Sequence, residues 1–284
     1  MKKDLEFKVD REDTLLPFLL FCLGGKSRNS IKGMLKRGQI TVGGKPCTDY
    51  SRALSPGQMV GVLQRTAPPK KETGLSIIYE DNDIIVIDKP ADMLAVATDN
   101  DRENTAFRAV NNYLKPRRAF IVHRLDRETS GVMLLAKSEE SKQALQENWN
   151  DTVILRGYTA VVEGRVSDDE GRIESRLKQT KTLLVYSSEN GGKPAITNYK
   201  TVKVSDDYSL LDISLETGRK NQIRVHMKDI GHPVAGDKKY GALTNPLERL
   251  GLHASALTIK HPFSGETMSF KVALPNAFNN AFKK

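Results

Sequence analysis

The run from His123 to Gly131, which reads HRLDRETSG, places one aspartate between two arginines. Both nearby positive charges favour the ionised form of Asp126, because a guanidinium stabilises a carboxylate. An ionised carboxylate can serve as a nucleophile or as a general base. The same spacing also suits an exposed ion pair ahead of a strand, which would contribute little. A glycosidase is a further alternative, but that class normally uses a second acid beside the first, and no motif ties one to Asp126.

Strands and helices must position this run. Residues 132–136 are apolar and follow it directly, and residues 84–88 are largely β-branched, so both stretches predict buried strands. We expect helices over 104–115 and from Ser138 to about Trp149. Further strands are predicted at 156–164, 182–187, 194–204, 208–216, 221–227, 253–260 and 267–272. Consecutive hairpins with few helices indicate an α+β fold with a mixed, mainly antiparallel sheet.

Two of these predicted strands carry side chains that could contact a substrate. Tyr158 lies in RGYTAVVEG, where it is either an ordinary strand residue or a flat aromatic face against which a ring can stack. In NQIRVHM, the polar residues Gln222, Arg224 and His226 alternate with apolar ones. Alternation with period two predicts a strand with its polar side chains on one face.

The positive charge of the chain is concentrated near its start. The net charge is +9 and the isoelectric point is about 9.4, which favours an anionic partner, nucleic acid first. Residues 26–52 hold seven basic residues against one acidic residue. We expect helices over 14–23 and 28–37, then a hairpin that turns at Gly43 and Gly44. The basic residues of these elements that could contact a nucleic acid are Arg28, Lys32, Lys36, Arg37 and Lys45.

Composition excludes several other classes of protein. Cys22 and Cys47 are the two cysteines, so we expect no disulfide framework and a reducing, cytoplasmic location. The five histidines show no metal-ligand spacing, which predicts no metal site. No run approaches the roughly 20 apolar residues that a membrane-spanning helix requires. We expect neither a membrane segment nor a signal peptide.

The HRLDRETSG run resembles the HRLDxxTSG signature of the RluA/RluD-type pseudouridine synthases. The resemblance implies that Asp126 is the catalytic residue and that Arg124 enters the RNA in place of the flipped base. RGYTAVVEG resembles the family motif KxYxAxVxG, which implies that the target base stacks on Tyr158. TGRKNQIRVH resembles TGRTHQIRVH and implies that Arg224 pairs with Asp126. The residues LHA, beginning at Leu252, resemble the motif whose leucine packs under the base.

The resemblance also covers the basic segment. SRNSIKGMLKRGQITVGGKP is similar to the S4 RNA-binding module, whose basic helix and hairpin lie against RNA phosphates. Residues 64–74, with paired prolines and charges, break all periodicity and read as a linker. We therefore predict an S4-like module at 14–63, the linker at 64–74 and a catalytic domain at 75–284. Asp92 stands where the family motif KPxG has glycine.

These motifs imply isomerisation of uridine in RNA, most readily in large-subunit ribosomal RNA. The reaction is neither a redox step nor a net hydrolysis, so we expect no cofactor. Asp126 could attack the sugar at C1′, add to C6 of the base or abstract a proton at C2′, and the sequence does not choose among these routes. The alternatives are transfer RNA as substrate, or a non-catalytic RNA-binding or ribosome-assembly factor with the same fold. We expect a monomer.

Overall fold

A computed structural model describes residues 5–36, 38–63, 75–98, 104–147 and 149–282, with only the backbone at 36 and 150. The chain forms two compact units. The first contains the described residues up to 63, together with Glu80–Asp83 and Lys260–Thr267. The second contains the rest. The linker predicted at 64–74 lies outside the described residues, so the predicted domain boundaries stay a prediction.

The first unit joins two helices to two small sheets. Its helices are α1 (Leu15–Cys22) and α2 (Arg28–Lys36). Its strands are β1 (Leu5–Lys8), β2 (Asp13–Thr14), β3 (Ile40–Val42), β4 (Lys45–Pro46), β5 (Ala53–Leu54) and β6 (Met59–Val62). The larger sheet has the order β1-β6-β3-β4, and β2 pairs with β5. Strand β1 precedes residue 14, where we predicted the module to begin.

Helix α2 forms because its apolar residues fall on one face. Ile31 and Leu35 are buried on that face, whereas Arg28 and Lys32 are exposed. The predicted hairpin forms between β3 and β4, where Val42 pairs with Lys45 across the two glycines. Both glycines have positive φ, as a two-residue hairpin turn requires.

The second unit is built on one large sheet. Its strands are β7 (Ser76–Glu80), β8 (Ile84–Lys89), β9 (Phe120–Ile121), β10 (Ser130–Ala136), β11 (Val153–Glu163), β12 (Glu170–Gln179), β13 (Val185–Ser187), β14 (Lys193–Val204), β15 (Tyr208–Leu215), β16 (Leu252–Lys260) and β17 (Thr267–Lys271). The sheet order is β13-β12-β14-β15-β11-β16-β10-β8-β7, with β17 beside β16 and β9 beside β10. Among the described pairings, only β10 with β16 is parallel. The predicted mixed, mainly antiparallel α+β fold is confirmed.

Helices cover the central strands of this sheet on both faces. They are α3 (Ala106–Leu114), α4 (Glu139–Glu147), α5 (Trp149–Thr152) and α6 (Gln222–Asp229), with 3-10 turns at Lys238–Tyr240 and Asn276–Phe282. Alternate residues of β8 and β10 pack in one cluster with α3 and in another with α4. Both strands are therefore buried on both sides, as their continuous apolar sequences predict.

The strand predicted at 221–227 is wrong, because this segment forms helix α6. Every residue from Gln222 to Met227 is buried, so the alternation of polar and apolar residues marks no exposed face. The polar side chains are buried because each finds a partner inside the protein. Gln222 donates to the carbonyl of Ile196, and His226 bonds the Thr197 hydroxyl. Strand β12 was not predicted from the sequence.

A close backbone contact brings β10 beside β16. Gly131 in β10 pairs with Ala254 in β16 and has a φ of +117°. A Cβ atom at Gly131 would lie 2.1 Å from the carbonyl oxygen of Ala254. Only glycine permits both this conformation and this approach.

Replacing Gly131 with alanine should therefore destabilise the protein more than the same change at Gly241. Gly241 has a φ of +93°, but a methyl group added there would meet no other atom within 4 Å. The Gly241 variant should lose about 1–2 kcal/mol from the left-handed backbone alone. The Gly131 variant should lose roughly 3 kcal/mol or more, because a clash is added. Urea unfolding measures both, and equal losses would contradict the contact.

Candidate active site

One cavity of about 650 Å³ in the second unit collects the residues that the sequence predicts for the catalytic centre. Asp126 lies in the loop between β9 and β10, Tyr158 lies on β11, and Leu252 begins β16. Because β16 runs between β10 and β11, these three positions meet at one end of the sheet. Other residues of the wall are Arg124, Trp149, Arg156, Arg219 and Arg224.

The loop that carries Asp126 is tied to the buried side chain of Lys89. Lys89 has no exposed surface, and its ammonium donates to the carbonyls of Pro90, Met93 and Arg127 at 2.7, 2.8 and 3.1 Å. Burial lowers the pKa of Lys89 to about 8, although nearby carboxylates oppose this effect. Asp92, in the same turn, has a φ of 60°, the conformation that glycine favours in the family motif. This role of Lys89 was not predicted from the sequence.

Arg224 joins helix α6 to the same loop, but not through Asp126. Its guanidinium donates to both carboxylate oxygens of Asp237, at 2.6 and 2.7 Å, and to Glu128 at 2.8 Å. Among the described residues it forms no ion pair with Asp126, so the predicted pairing is corrected. Burial alone would lower the pKa of Arg224, but the bonds and charge of Asp237, with smaller contributions from Glu128 and Asp126, raise it.

Tyr158 stays protonated over the physiological range. Burial raises the pKa of its phenol to about 12, and the negative charge of Asp126 adds to the increase. The ring packs against two neighbouring apolar clusters, one of which contains Ala254 and the other Leu252. Tyr158 therefore presents a neutral aromatic group close to Asp126.

A network of hydrogen bonds holds the backbone of Leu252 in place. Arg249 donates to the Ser130 hydroxyl at 2.7 Å and to the carbonyl of Leu252 at 3.2 Å. Ser130 in turn bonds Nδ1 of His253 at 2.8 Å. These contacts connect the start of β10 with the start of β16. No local motif predicts this network, because Ser130 is 119 positions from Arg249 and 123 positions from His253.

His123, the first residue of the signature, has a supporting role. Its Nε2 accepts a hydrogen bond from the backbone N–H of Leu134 at 3.0 Å, and its ring packs on Trp149. Burial lowers the pKa of His123 to about 4, and the charge of Arg156 adds to the lowering. The imidazole is therefore neutral at pH 7 and holds the loop against β10.

The bases predicted to bind RNA belong to the first unit. Arg28, Lys32 and Lys45 are exposed, and the ammonium of Lys32 lies 4.7 Å from the ring centre of Tyr50. The side chain of Lys36 and the whole of Arg37 lie outside the described residues. Arg28 and Lys32 lie on helix α2, and Lys45 lies on strand β4.

Asp81, Asp83 and His261 form a cluster that was not predicted from the sequence. Their ligand atoms lie within 4.8 Å of one another. However, Nδ1 of His261 accepts the backbone N–H groups of Phe263 and Ser264, at 3.3 and 3.1 Å. The ring proton is then on Nε2, which lies 3.1 Å from Asp81. A protonated Nε2 offers no lone pair to a metal, so this geometry does not suit a metal site.

No helix among the described residues is long and apolar enough to span a membrane.

Comparisons with known proteins identify the family of the chain. A model of the RNA pseudouridylate synthase family matches residues 83–229. The chain is 33% identical to an uncharacterized RNA pseudouridine synthase of Bacillus subtilis, over 88% of this chain and 86% of the relative. It is also 33% identical to ribosomal large subunit pseudouridine synthase D of Neisseria meningitidis, over 96% of this chain and 78% of the relative. The solved structure of human RNA pseudouridylate synthase domain containing 1 has a TM-score of 0.59 at 25% identity, over 74% of this chain and 87% of that one.

The chain therefore belongs to the RNA pseudouridylate synthase family, as its motifs predicted. It is an isomerase that converts uridine in RNA to pseudouridine.

The two carboxylates that share Arg224 should differ in their contribution to stability. Replacing Asp237 with asparagine removes the charge from a fully buried ion pair, which should cost about 3 kcal/mol or more. Replacing Glu128 with glutamine alters a carboxylate that is half exposed, which should cost less than about 1 kcal/mol. Urea unfolding at pH 7 compares the two variants. A larger loss for the Glu128 variant would show that Asp237 is not the main partner.

Proposed function

We propose that Asp126 is the catalytic residue and that the substrate is a uridine of large-subunit ribosomal RNA. The proposal rests on the fact that Asp126, Tyr158 and Leu252 line the same cavity. Relatives named ribosomal large subunit pseudouridine synthase D, at 32–33% identity, support the choice of RNA. Transfer RNA is the alternative substrate.

The uridine must leave the RNA stack to reach this cavity, at a cost of a few kcal/mol. Its uracil ring stacks on Tyr158 and lies over Leu252, and the exposed Arg124 fills the vacated space in the RNA. The ribose then lies beside Asp126. The glycosidic bond from N1 to C1′ breaks, the base turns within the pocket, and C5 bonds to C1′. C5 then loses its hydrogen to solvent as a proton, and N1 takes up a proton, so the product is an isomer of uridine.

An ionised Asp126 can start this reaction by attack at C1′, by addition to C6 or by removal of a proton at C2′. Atoms and electrons balance within the nucleoside on each route, so we propose that no metal or cofactor takes part. Arg224 and Lys89 are positioning residues, because they contact the residues that follow Asp126.

The first unit supplies affinity for RNA in this proposal. The exposed residues Arg28, Lys32 and Lys45 contact phosphates, in the manner of an S4-like module. Such contacts strengthen binding without reading sequence, so the choice of uridine rests with the second unit. We further propose that the protein works as a monomer in the cytoplasm.

Replacing Asp126 with asparagine should abolish isomerisation but retain RNA binding. The assay follows tritium released from C5 of labelled uracil, in ribosomal and transfer RNA offered separately. The rate should fall at least about 100-fold, because the variant lacks the ionised group. The matched control is Asp206→Asn, which removes an exposed carboxylate away from the cavity and should retain activity. Substantial release by the Asp126 variant would contradict the assignment.

Removing the side chains of Arg28, Lys32 and Lys45 should make RNA binding less sensitive to salt. If each base neutralises one phosphate, the slope of log K against log salt should become shallower by about 2–3. The control replaces Lys115, Lys200 and Lys271 with alanine, which removes the same charge from exposed positions outside the cavity. An equal change of slope in both triple variants would show that the first unit has no special part in binding.

A further inference from the structure

A second cavity of about 520 Å³ lies beside the one that contains Asp126. The two cavities share part of their walls, namely Trp149, Arg156, Leu215, Gly218 and Arg219. The proposed reaction on one uridine uses none of the remaining space. The second cavity therefore adjoins the catalytic centre but has no function in the chemistry described so far.

Trp149 gives this second cavity an aromatic wall. It is the only tryptophan of the chain and is half-buried. Its ring packs on His123, with ring centres 5.5 Å apart, and against the apolar cluster that contains Val153. These contacts hold the indole in place, and Trp149 lines both cavities. Rigid aromatic faces of this kind are stacking sites for nucleobases.

Aliphatic side chains extend this apolar surface into solvent. Ile154 is 54% exposed and Leu155 is 37% exposed, and both line the second cavity. Exposed aliphatic side chains next to a tryptophan form an apolar surface, and the flat face of a nucleobase can cover this surface and remove it from water.

Two guanidinium groups supply positive charge at the boundary of the cavities. Arg156 donates to the carbonyl of Glu216 at 2.5 Å, and Arg219 donates through Nε to the carbonyl of Pro194 at 2.9 Å. These carbonyl contacts position the guanidiniums without neutralising them. Among the described residues neither arginine pairs with a carboxylate, and the charge of Arg219 contributes to the lowered pKa of Arg156, after burial. Two adjacent, unneutralised guanidiniums favour a phosphate.

We propose that the second cavity binds a nucleotide that flanks the target uridine, with its base on Trp149 and its phosphate at Arg156 and Arg219. This inference rests on the proposed function, because the wall shared with the Asp126 cavity makes the occupant a neighbour of the target uridine in the same strand. The site would hold the strand on one side of the flipped uridine. It would raise affinity through stacking, which tolerates any base.

The fluorescence of Trp149 tests the proposal in the unmutated chain, because no other tryptophan contributes. The probes are a seven-residue oligouridylate, the same oligomer with abasic residues around one central uridine, and inorganic phosphate. The intact oligomer should quench the fluorescence more strongly than the oligomer with a single uridine, because Trp149 lines both cavities, and inorganic phosphate should not quench it. Binding is measured independently through a dye on the oligomer. If the intact oligomer binds without changing the fluorescence, the proposal is overturned.

Kinetic variants provide the second arm, using tritium release from ribosomal RNA. Trp149→Ala should lower kcat/KM by about tenfold, the equivalent of one lost stack, with most of the loss in KM. Trp149→Phe, which keeps a flat ring, should lose less. Arg219→Ala should also raise KM, whereas Arg165→Ala, which removes an exposed arginine outside both cavities, should not.

The outcomes separate this inference from the proposed function. Tritium release with an unchanged KM in Trp149→Ala would overturn the flanking site and leave the catalytic proposal standing. No release by the unmutated chain would instead contradict the proposed function, whatever the fluorescence shows.

Discussion

The close pairing of β16 with β10 is the constraint on which the rest of the site depends. Strand β16 runs antiparallel to β11 and parallel to β10, so the loop before β10 and the first residue of β16 meet at the same end of the sheet. Gly131 allows this approach, since any side chain there would meet the backbone of Ala254. Asp126, Tyr158 and Leu252, which are separated by up to 126 positions in the chain, reach one cavity as a result.

Two buried cations then hold this loop in place. The ammonium of Lys89 binds the carbonyl of Arg127, and the guanidinium of Arg224 binds the carboxylate of Glu128. Both contacts act on the residues that follow Asp126 rather than on Asp126 itself. Among the described residues no cation forms an ion pair with Asp126, so its carboxylate is positioned through the backbone of the loop.

The sequence predicts which residues line the cavity better than it predicts which residues hold them in place. Asp126, Tyr158 and Leu252 lie within local motifs, and the apolar periodicity of β8 and β10 is unambiguous. Helix α6 was predicted as a strand because its polar and apolar residues alternate. This alternation does not show whether the polar residues are exposed or are buried with partners inside the protein. The role of Lys89 was missed because the KPxG motif that it begins does not reveal its contacts, and the carbonyl that it binds at Arg127 is 38 residues away. Long-range polar contacts of this kind appear only in three dimensions.

The central claim is that this cavity holds a uracil ring while its bond to the sugar is broken and remade. Nucleoside analysis tests that claim most directly. Ribosomal RNA is incubated with the protein, digested to nucleosides and separated from any free base. The account predicts that pseudouridine appears in the amount of uridine lost, with no free uracil. Free uracil and abasic sites would contradict it, because they would show a pocket that cleaves the bond and lets the base escape.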